Sequence, residues 1–314
     1  MNKKSLFCGM VRTILALLAT LIIIPFVAWK YGTPLLPEQV HMLMISIRIM
    51  LITAVSCFLV SELTRNCSQV DKLWSTIPIV YVWYFAYASD WHIRSVLMAV
   101  LVTLWGIRLT YNFSRRGGYH WVPWKGHEDY RWEVLRQNPA LQGKWRWALF
   151  NLFFISLYQQ SLILMFTLPA ILAGFGKKSL GVLDIVAALS FLFFLVTETI
   201  ADQQQYNFQE EKHRRLREKE TLDMPYARGF IWDGLWKIVR HPNYASEQAI
   251  WISFYIFSIA ATGEWLNWSL TGCILLILLF LGSSNFSEEI SAKKYAGYQD
   301  YQQKVPRFIP FTKK

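Results

Sequence analysis

The chain has 314 residues, of which 54% are hydrophobic, 16% aromatic and only 17% charged, where a soluble domain carries about 25% charge. With a mean hydropathy of +0.25 and apolar runs of bilayer length recurring throughout, an ordinary soluble domain is excluded and a multi-pass membrane protein is expected. The net charge of +11 would suit nucleic acid, but the basic residues alternate loop by loop, so no nucleic-acid partner is expected.

The N-terminus carries Lys3, Lys4 and Arg12 before an apolar run from Ile14 to Trp29 that lacks a small-x-small cleavage site, and it reads as a retained first helix. Eight spans are expected, at about 11–30, 40–60, 73–89, 94–113, 147–172, 180–203, 244–262 and 266–285. Their order divides Lys and Arg unevenly. Only Lys30, Arg94, Lys177 and Lys178 fall in the loops of one side, and Arg48 and Arg108 fall inside helices. All other basic residues lie at the N-terminus, in the loops at 61–72, 114–146 and 204–243, or in the tail from 286, which places both termini and both long loops in the cytosol. The expected fold is therefore an all-α, multi-pass transmembrane helical bundle of about eight spans with cytosolic termini. Cys8, Cys57, Cys67 and Cys273 form no pair with metal-ligand spacing, and Cys57 and Cys273 read as small buried hydrophobes.

Polar residues stand out against this background. Asp71, in Val70-Asp71-Lys72-Leu73-Trp74-Ser75, is placed to N-cap the third helix. The loop after the fourth contains Ser114-Arg115-Arg116-Gly117-Gly118-Tyr119-His120-Trp121, where the glycines allow close backbone approach and the arginines suit phosphate or carboxylate. It continues through His127-Glu128-Asp129-Tyr130-Arg131-Trp132, whose spacing matches no zinc pattern, so no metal is expected. Glu128 and Tyr130 are candidates for proton donation. Trp121, Trp124, Trp132, Trp145 and Trp147 read as an interfacial belt.

Glu198 and Asp202, one helical turn apart, share a face at the end of the sixth span, and charges in a membrane helix require a reason. Arg48 and Arg108 read as internal ion-pair partners, and Asp184 as an interfacial or helix N-terminal charge. The mixed charges from Glu210 to Glu220 suggest that the sixth helix continues beyond the membrane with solvated faces. Then comes the stretch with the densest chemistry, Gly234-Leu235-Trp236-Lys237-Ile238-Val239-Arg240-His241-Pro242-Asn243-Tyr244-Ala245-Ser246-Glu247, directly before an apolar run. The tail carries Glu288-Glu289, Tyr295, Tyr298, Tyr301 and Val305-Pro306-Arg307. The tyrosines share a helix face that Pro306 ends, as an amphipathic helix on the membrane or a closure of a cofactor site. Convergence of these motifs on one side favours an enzyme or ligand binder. No dinucleotide glycine fingerprint or P-loop is present.

Gly234-Leu235-Trp236 with Arg240-His241-Pro242-Asn243-Tyr244 and Glu247 resembles the steroid 5-alpha-reductase C-terminal superfamily, and more closely its DUF1295 branch. Asp71-x-x-Trp74-Ser75, Trp105-Gly106-x-Arg108-Leu109, Glu128-Asp129-Tyr130-Arg131-Trp132 and Glu198-x-x-x-Asp202-x-Gln204 carry the same likeness. It implies a single integrated membrane domain over 55–314 behind N-terminal transmembrane helices at 1–54. It also implies an oxidoreductase that uses NADPH to reduce a carbon–carbon double bond in a hydrophobic enone, a sterol-like or isoprenoid lipid drawn from the bilayer. By that resemblance Asp202, Asn243 and Glu247 contact the cofactor; Arg240, His241 and Tyr244 line the site; and Arg228, Tyr298, Tyr301 and Arg307 are looser matches. The steroid reductases take a substrate-polarising Glu and Tyr from early helices; here Glu128 and Tyr130 are assigned those roles, with Tyr84 or Glu62 as substitutes.

An S-adenosylmethionine-dependent methyltransferase similar to the isoprenylcysteine carboxyl methyltransferases is the alternative, supported by Arg-His-Pro-x-Tyr and Glu288-Glu289. A catalytically silent lipid-binding membrane protein is the third. The bacterial inner membrane is favoured over the endoplasmic reticulum, and nothing in the sequence sets the oligomeric state.

Overall fold

A backbone in hydrocarbon must satisfy its own hydrogen bonds, and helices do so within one segment. The computed structural model describes residues 22–120, 122, 126–176 and 178–312, and of residues 24, 25, 28 and 29 the backbone alone; no strand occurs among them. The helices are α1 (Ile24–Tyr31), α2 (Pro37–Thr64), α3 (Gln69–Ala88), α4 (Ile93–Arg115), α5 (Tyr130–Arg136), α6 (Lys144–Gly174), α7 (Val182–Arg217), α8 (Pro242–Thr262), α9 (Leu270–Lys294) and α10 (Tyr298–Lys304).

Among the described residues, five of these are long and apolar enough to cross a membrane: α2, α4, α6, α7 and α9. That is consistent with an integral membrane protein. The expected spans at 73–89 and 244–262 are helices, α3 and α8, but are not among those five. Most of the expected first span, with Trp121, Trp124 and Lys177, lies outside the described residues.

The chain folds as two compact units, the first comprising residues up to Ile185 with Phe254–Leu275, the second Val186–Ser253 with Leu276–Lys314. In the first, α3 and α4 form an antiparallel hairpin. The hairpin is close because position 106 has no side chain: a Cβ on Gly106 would lie 2.5 Å from the Ser75 carbonyl oxygen. Trp83 Nε1 donates to Thr103 Oγ1 (2.9 Å) and Thr110 Oγ1 to Ser75 Oγ (2.8 Å), pinning its register. Against it pack α2 and α6. The buried residues of α2, among them Met42, Ser46, Met50, Ala54, Cys57 and Ser61, recur every three or four positions and so form one face. Within α6, residues Asn151–Tyr158 are π-helical.

Two expectations change here. Asp71 does not cap α3. The preceding turn is closed by Ser68 N–H donating to Asn66 Oδ1 (2.9 Å), the helix begins at Gln69, and Asp71 falls inside its first turn. Gly117 and Gly118 close α4 rather than open a pocket: Gly117 takes φ +80°, and the Gly117 and Gly118 amides donate to Ser114 O and Phe113 O. Asp184 sits in the first turn of α7 as expected, but it is buried. Arg94 Nε and Nη2 donate to its carboxylate at 2.7 and 3.0 Å, and Nη2 also reaches the carbonyls of Lys178 and Ser179.

In the second unit α7 does run on as a polar helix to Arg217, with Arg214 paired to Glu211 and Glu218 along its surface. Such exposed pairs are screened by solvent and add little, so the segment's position depends more on its buried aromatic contacts. Phe208, Ile231 and Trp236 form one cluster, and Phe230, Tyr298, Tyr301 and Val305 another that docks α10.

Candidate functional site

The second unit concentrates buried acids on three helices: Glu198 and Asp202 midway along α7, Glu247 in the second turn of α8 and Glu288 in the C-terminal part of α9. A buried carboxylate is tolerated only when paired or hydrogen-bonded, so their partners define the site.

Glu288 is 3% exposed and acts as a hub. Arg240 grips it with Nε at 2.8 Å and Nη2 at 3.3 Å, Gln302 Nε2 donates at 2.8 Å, and Arg307 Nη2 lies 3.7 Å away. His241 Nε2 is 2.9 Å from the same carboxylate, so the ring carries its proton on Nε2 and donates. Burial pushes the His241 pKa down, and the neighbouring Arg240 and Arg307 charges add to that, against the pull of Glu288. The imidazole is neutral at pH 7. Its ring stacks on Tyr244 (centroids 5.2 Å, 10° between planes), which packs on Phe280.

The same arginine also fastens the tail. Arg240 Nη1 donates to the carbonyls of Gln302 and Val305, its amide to Pro306 O (2.8 Å), and the His241 amide to Arg307 O (3.1 Å). Tyr301 Oη closes the arrangement by donating to Trp236 O (2.6 Å). Burial raises the Tyr301 pKa, which keeps that hydroxyl a donor.

A second group lies on the opposite flank of the motif. Pro242 opens α8, suited to a first helical turn that needs no amide there. Asn243 Nδ2 then donates to Asp202 Oδ1 on α7 (3.2 Å), and Glu247, one turn on, accepts from Trp251 Nε1 (3.0 Å). The turn before the motif is held to α7 as well. Leu235 N–H donates to Gln204 Oε1 (3.0 Å) and Trp236 Nε1 to Ala201 O (3.0 Å). Gly234 has φ +61°, a left-handed backbone that favours glycine, and a Cβ there would displace the Gln204 amide from Leu235 N–H.

Thus Arg240, His241, Tyr244 and Arg307 gather around Glu288, while Asp202 meets Asn243, with Glu247 one turn further along α8. Tyr298 and Tyr301 line the aromatic cluster that seats the tail. Sequence reasoning missed Glu288 as the organising group and Gln302 altogether. The available signal was an acid inside a helix of membrane length, which demands a partner.

Glu128 and Tyr130 belong to the first unit. There the Glu128 carboxylate accepts from both Nη atoms of Arg136 and from the Cys67 amide (2.6 Å). Tyr130 stands 52% exposed at the head of α5, which Asp129 caps by accepting from Arg131 N (2.9 Å). The carboxylate of Asp71 lies near Asp129 and Arg131 and accepts a long hydrogen bond from Trp132 Nε1 (3.5 Å). Burial first, then the Asp129 charge, raises its pKa to about 6. For Asp129, burial opposes ionisation but Arg131 outweighs it, and its pKa is lowered. Among the described residues no group of three or more His, Cys, Asp or Glu is placed to hold a metal ion.

Comparison with known proteins places these residues in a wider set. A family model described as "Protein of unknown function (DUF1295)" matches residues 57–305. An uncharacterized protein of Schizosaccharomyces pombe is 38% identical over 264 residues, covering 80% of this chain and 74% of that protein. No solved structure matches.

Proposed function

Because the chain belongs to the DUF1295 family, we propose that it is an integral membrane reductase that uses NADPH to reduce an activated carbon–carbon double bond in a hydrophobic, lipid-like enone. The observation that carries this reading is the pairing of the half-buried Asn243 with the buried Asp202, beside the buried Glu247, at the start of α8. A half-buried neutral amide beside two buried carboxylates suits ribose hydroxyls and a carboxamide, which are uncharged and need both donors and acceptors. Arg307, 31% exposed at its side chain, leaves guanidinium surface for a phosphate. The donor set therefore fits the cofactor, with Asp202, Asn243 and Glu247 holding its neutral groups and Arg307 its charge.

When bound, NADPH supplies the hydride. The chain's task is then orientation and proton supply. Glu288 serves through position: by fixing Arg240 and His241 it sets the direction in which Asn243 leaves the helix start. His241, neutral and with Nε2–H engaged, holds Tyr244 by stacking and does not itself add charge to the site. The proton is assigned to the Tyr130 hydroxyl, with Glu128 anchoring that segment through Arg136. Eight spans, cytosolic termini and the bacterial inner membrane remain part of the proposal.

The methyltransferase reading drew on Glu288-Glu289 as an adjacent pair of acids. Glu288 is enclosed by Arg240, His241 and Gln302, whereas Glu289 is exposed and pairs with Lys293 at 2.7 Å, so the two do not present carboxylates to one ligand. The reductase reading is tested by following NADPH oxidation at 340 nm by the protein in mild detergent across a panel of apolar enones. Turnover that falls at least tenfold in Asn243→Ala supports it; methyl transfer from S-adenosylmethionine without any NADPH oxidation overturns it.

A further inference from the structure

In the first unit, α6 carries a row of polar residues through the interior of a candidate membrane span. Its π-helical stretch ends at Tyr158, and Gln159 and Gln160 follow at once, both buried. Gln160 is 0% exposed, and neither its amide nitrogen nor its amide oxygen has a hydrogen-bond partner. Two further fully enclosed oxygens on the helices packed against this part of α6 share that condition: Tyr81 Oη on α3 and Ser61 Oγ on α2.

The contacts around these groups fall on successive turns of α2. Ser161, beside Gln160, approaches Met50 (Oγ to Sδ 3.7 Å), Tyr81 faces Thr53, and Ser156 and Ser61 approach Cys57. Met50, Thr53 and Cys57 are successive turns of that helix, so Ser161 and Tyr81 stand at levels about 4.5 Å apart along its axis, and Gln160 is the residue next to Ser161. The Thr53 hydroxyl is directed at the carbonyls of Ile49 and Met50, so toward Tyr81 it can only accept, and the lone pairs of the Tyr81 oxygen are left without a donor. Polar groups inside a membrane domain are costly when unpaired, and those that persist mark ligand pathways.

The chemistry of the missing partner can be read from what is offered. Gln160 presents one donor group and one acceptor, and Tyr81 presents an oxygen that accepts. All are neutral. A hydroxyl matches them, since it donates to Gln160 Oε1 or to Tyr81 Oη while accepting from Gln160 Nε2; an anion cannot donate and an ammonium cannot accept. The π-helical stretch directly before Gln159 supplies local adjustability, because a π turn holds one more residue than an α turn and is a recurrent feature of functional sites.

We propose that α2, α3 and α6 enclose a binding site for the hydroxyl group of an apolar alcohol, centred on Gln160 and Tyr81. It stands independently of the reductase reading, since neither Gln160 nor Tyr81 has a part in that reading. The probe is a long-chain alkanol carrying a diazirine near its hydroxyl, photolysed with the wild-type protein in mild detergent and mapped by peptide mass spectrometry. Labelling is expected to concentrate on peptides from α2 and α6. The unlabelled alkanol should compete at least tenfold better than its methyl ether, which accepts but cannot donate. Gln160→Leu should lower the labelling at least fivefold, and Tyr81→Phe, which removes a single oxygen, at least twofold. Equal competition by alcohol and ether in the wild-type protein overturns the proposal without any variant. So does labelling spread over the lipid-facing helices and unchanged in Tyr81→Phe; buried water is then the partner of these groups.

Discussion

Arg240 and Glu288 lie 48 positions apart and meet side to side in the interior, with Nε to Oε1 at 2.8 Å and Nη2 to Oε2 at 3.3 Å. The pair sits where three parts of the second unit converge: the start of α8, the end of α9 and the tail after α10. A buried pair of this kind contributes little relative to a well-packed apolar substitute, but removing one partner strands the other. Glu288→Ala is therefore expected to destabilise the protein by about 3–5 kcal/mol. Thermal unfolding in detergent measures the loss, and limited proteolysis should cut first in the segment after Lys294. Arg240→Lys should lose the tail contacts too, because one ammonium cannot reach the carboxylate and the Gln302 and Val305 carbonyls together.

His241 gives a pH dependence of defined sign. Its pKa is lowered in the folded protein, so between that value and the ordinary 6.5 the unfolded chain binds more protons than the native one. Stability is full above about pH 6.5 and falls as the pH drops toward the folded value. His241→Gln, which keeps a donor for Glu288, should show a flatter loss between pH 7 and 5. An unfolding temperature that falls equally in both proteins contradicts the assignment.

Asp71 has the opposite sign. Burial and Asp129 raise its pKa from 3.8 to about 6, so the native state holds this proton more tightly than the unfolded one, and the contribution decays as pH rises from about 4 through 6. Asp71→Asn should remove that decay and raise the unfolding temperature at pH 7 relative to wild type. The effect is read from paired thermal scans at pH 4.5 and pH 7.

Gly106 tests the hairpin of the first unit. A methyl group there would lie 2.5 Å from Ser75 O and 2.7 Å from Ile79 Cδ1, so α3 and α4 must separate. Gly106→Ala is expected to cost about 1–3 kcal/mol despite alanine's better helix propensity. A neutral or stabilised variant would show that the two helices are not held at this distance.

Much of the helical framework was legible because apolar length and charge are local signals. The expected span at 94–113 is helix 93–115, that at 147–172 is helix 144–174, and the polar continuation of the sixth span runs to Arg217. Pro306 was expected to end the tail helix, and α10 does stop at Lys304, just short of it. What escaped is non-local. Glu288 read as one member of a Glu-Glu pair because nothing near it in sequence reveals Arg240, His241 and Gln302 as its partners. Asp71 read as a cap because a carboxylate before a helix normally is one; the Asn66–Ser68 turn takes that position. Glu128 read as a proton donor from its residue type, and its engagement by Arg136 and the Cys67 amide depends on the strap from 126 to 136 folding back on the α2–α3 turn.

The central claim is that the Asp202–Asn243 pair forms part of a dinucleotide site, and direct binding tests it most simply. The purified protein in mild detergent is titrated with NADPH, NADP+ and S-adenosylmethionine, following the change in nicotinamide fluorescence for NADPH and the heat of binding for all three. NADPH is expected to bind, with affinity reduced at least tenfold in Asn243→Ala and in Asp202→Ala while both variants keep the wild-type unfolding profile. Binding of S-adenosylmethionine with no response to NADPH, or NADPH affinity unchanged in both variants, would contradict the account.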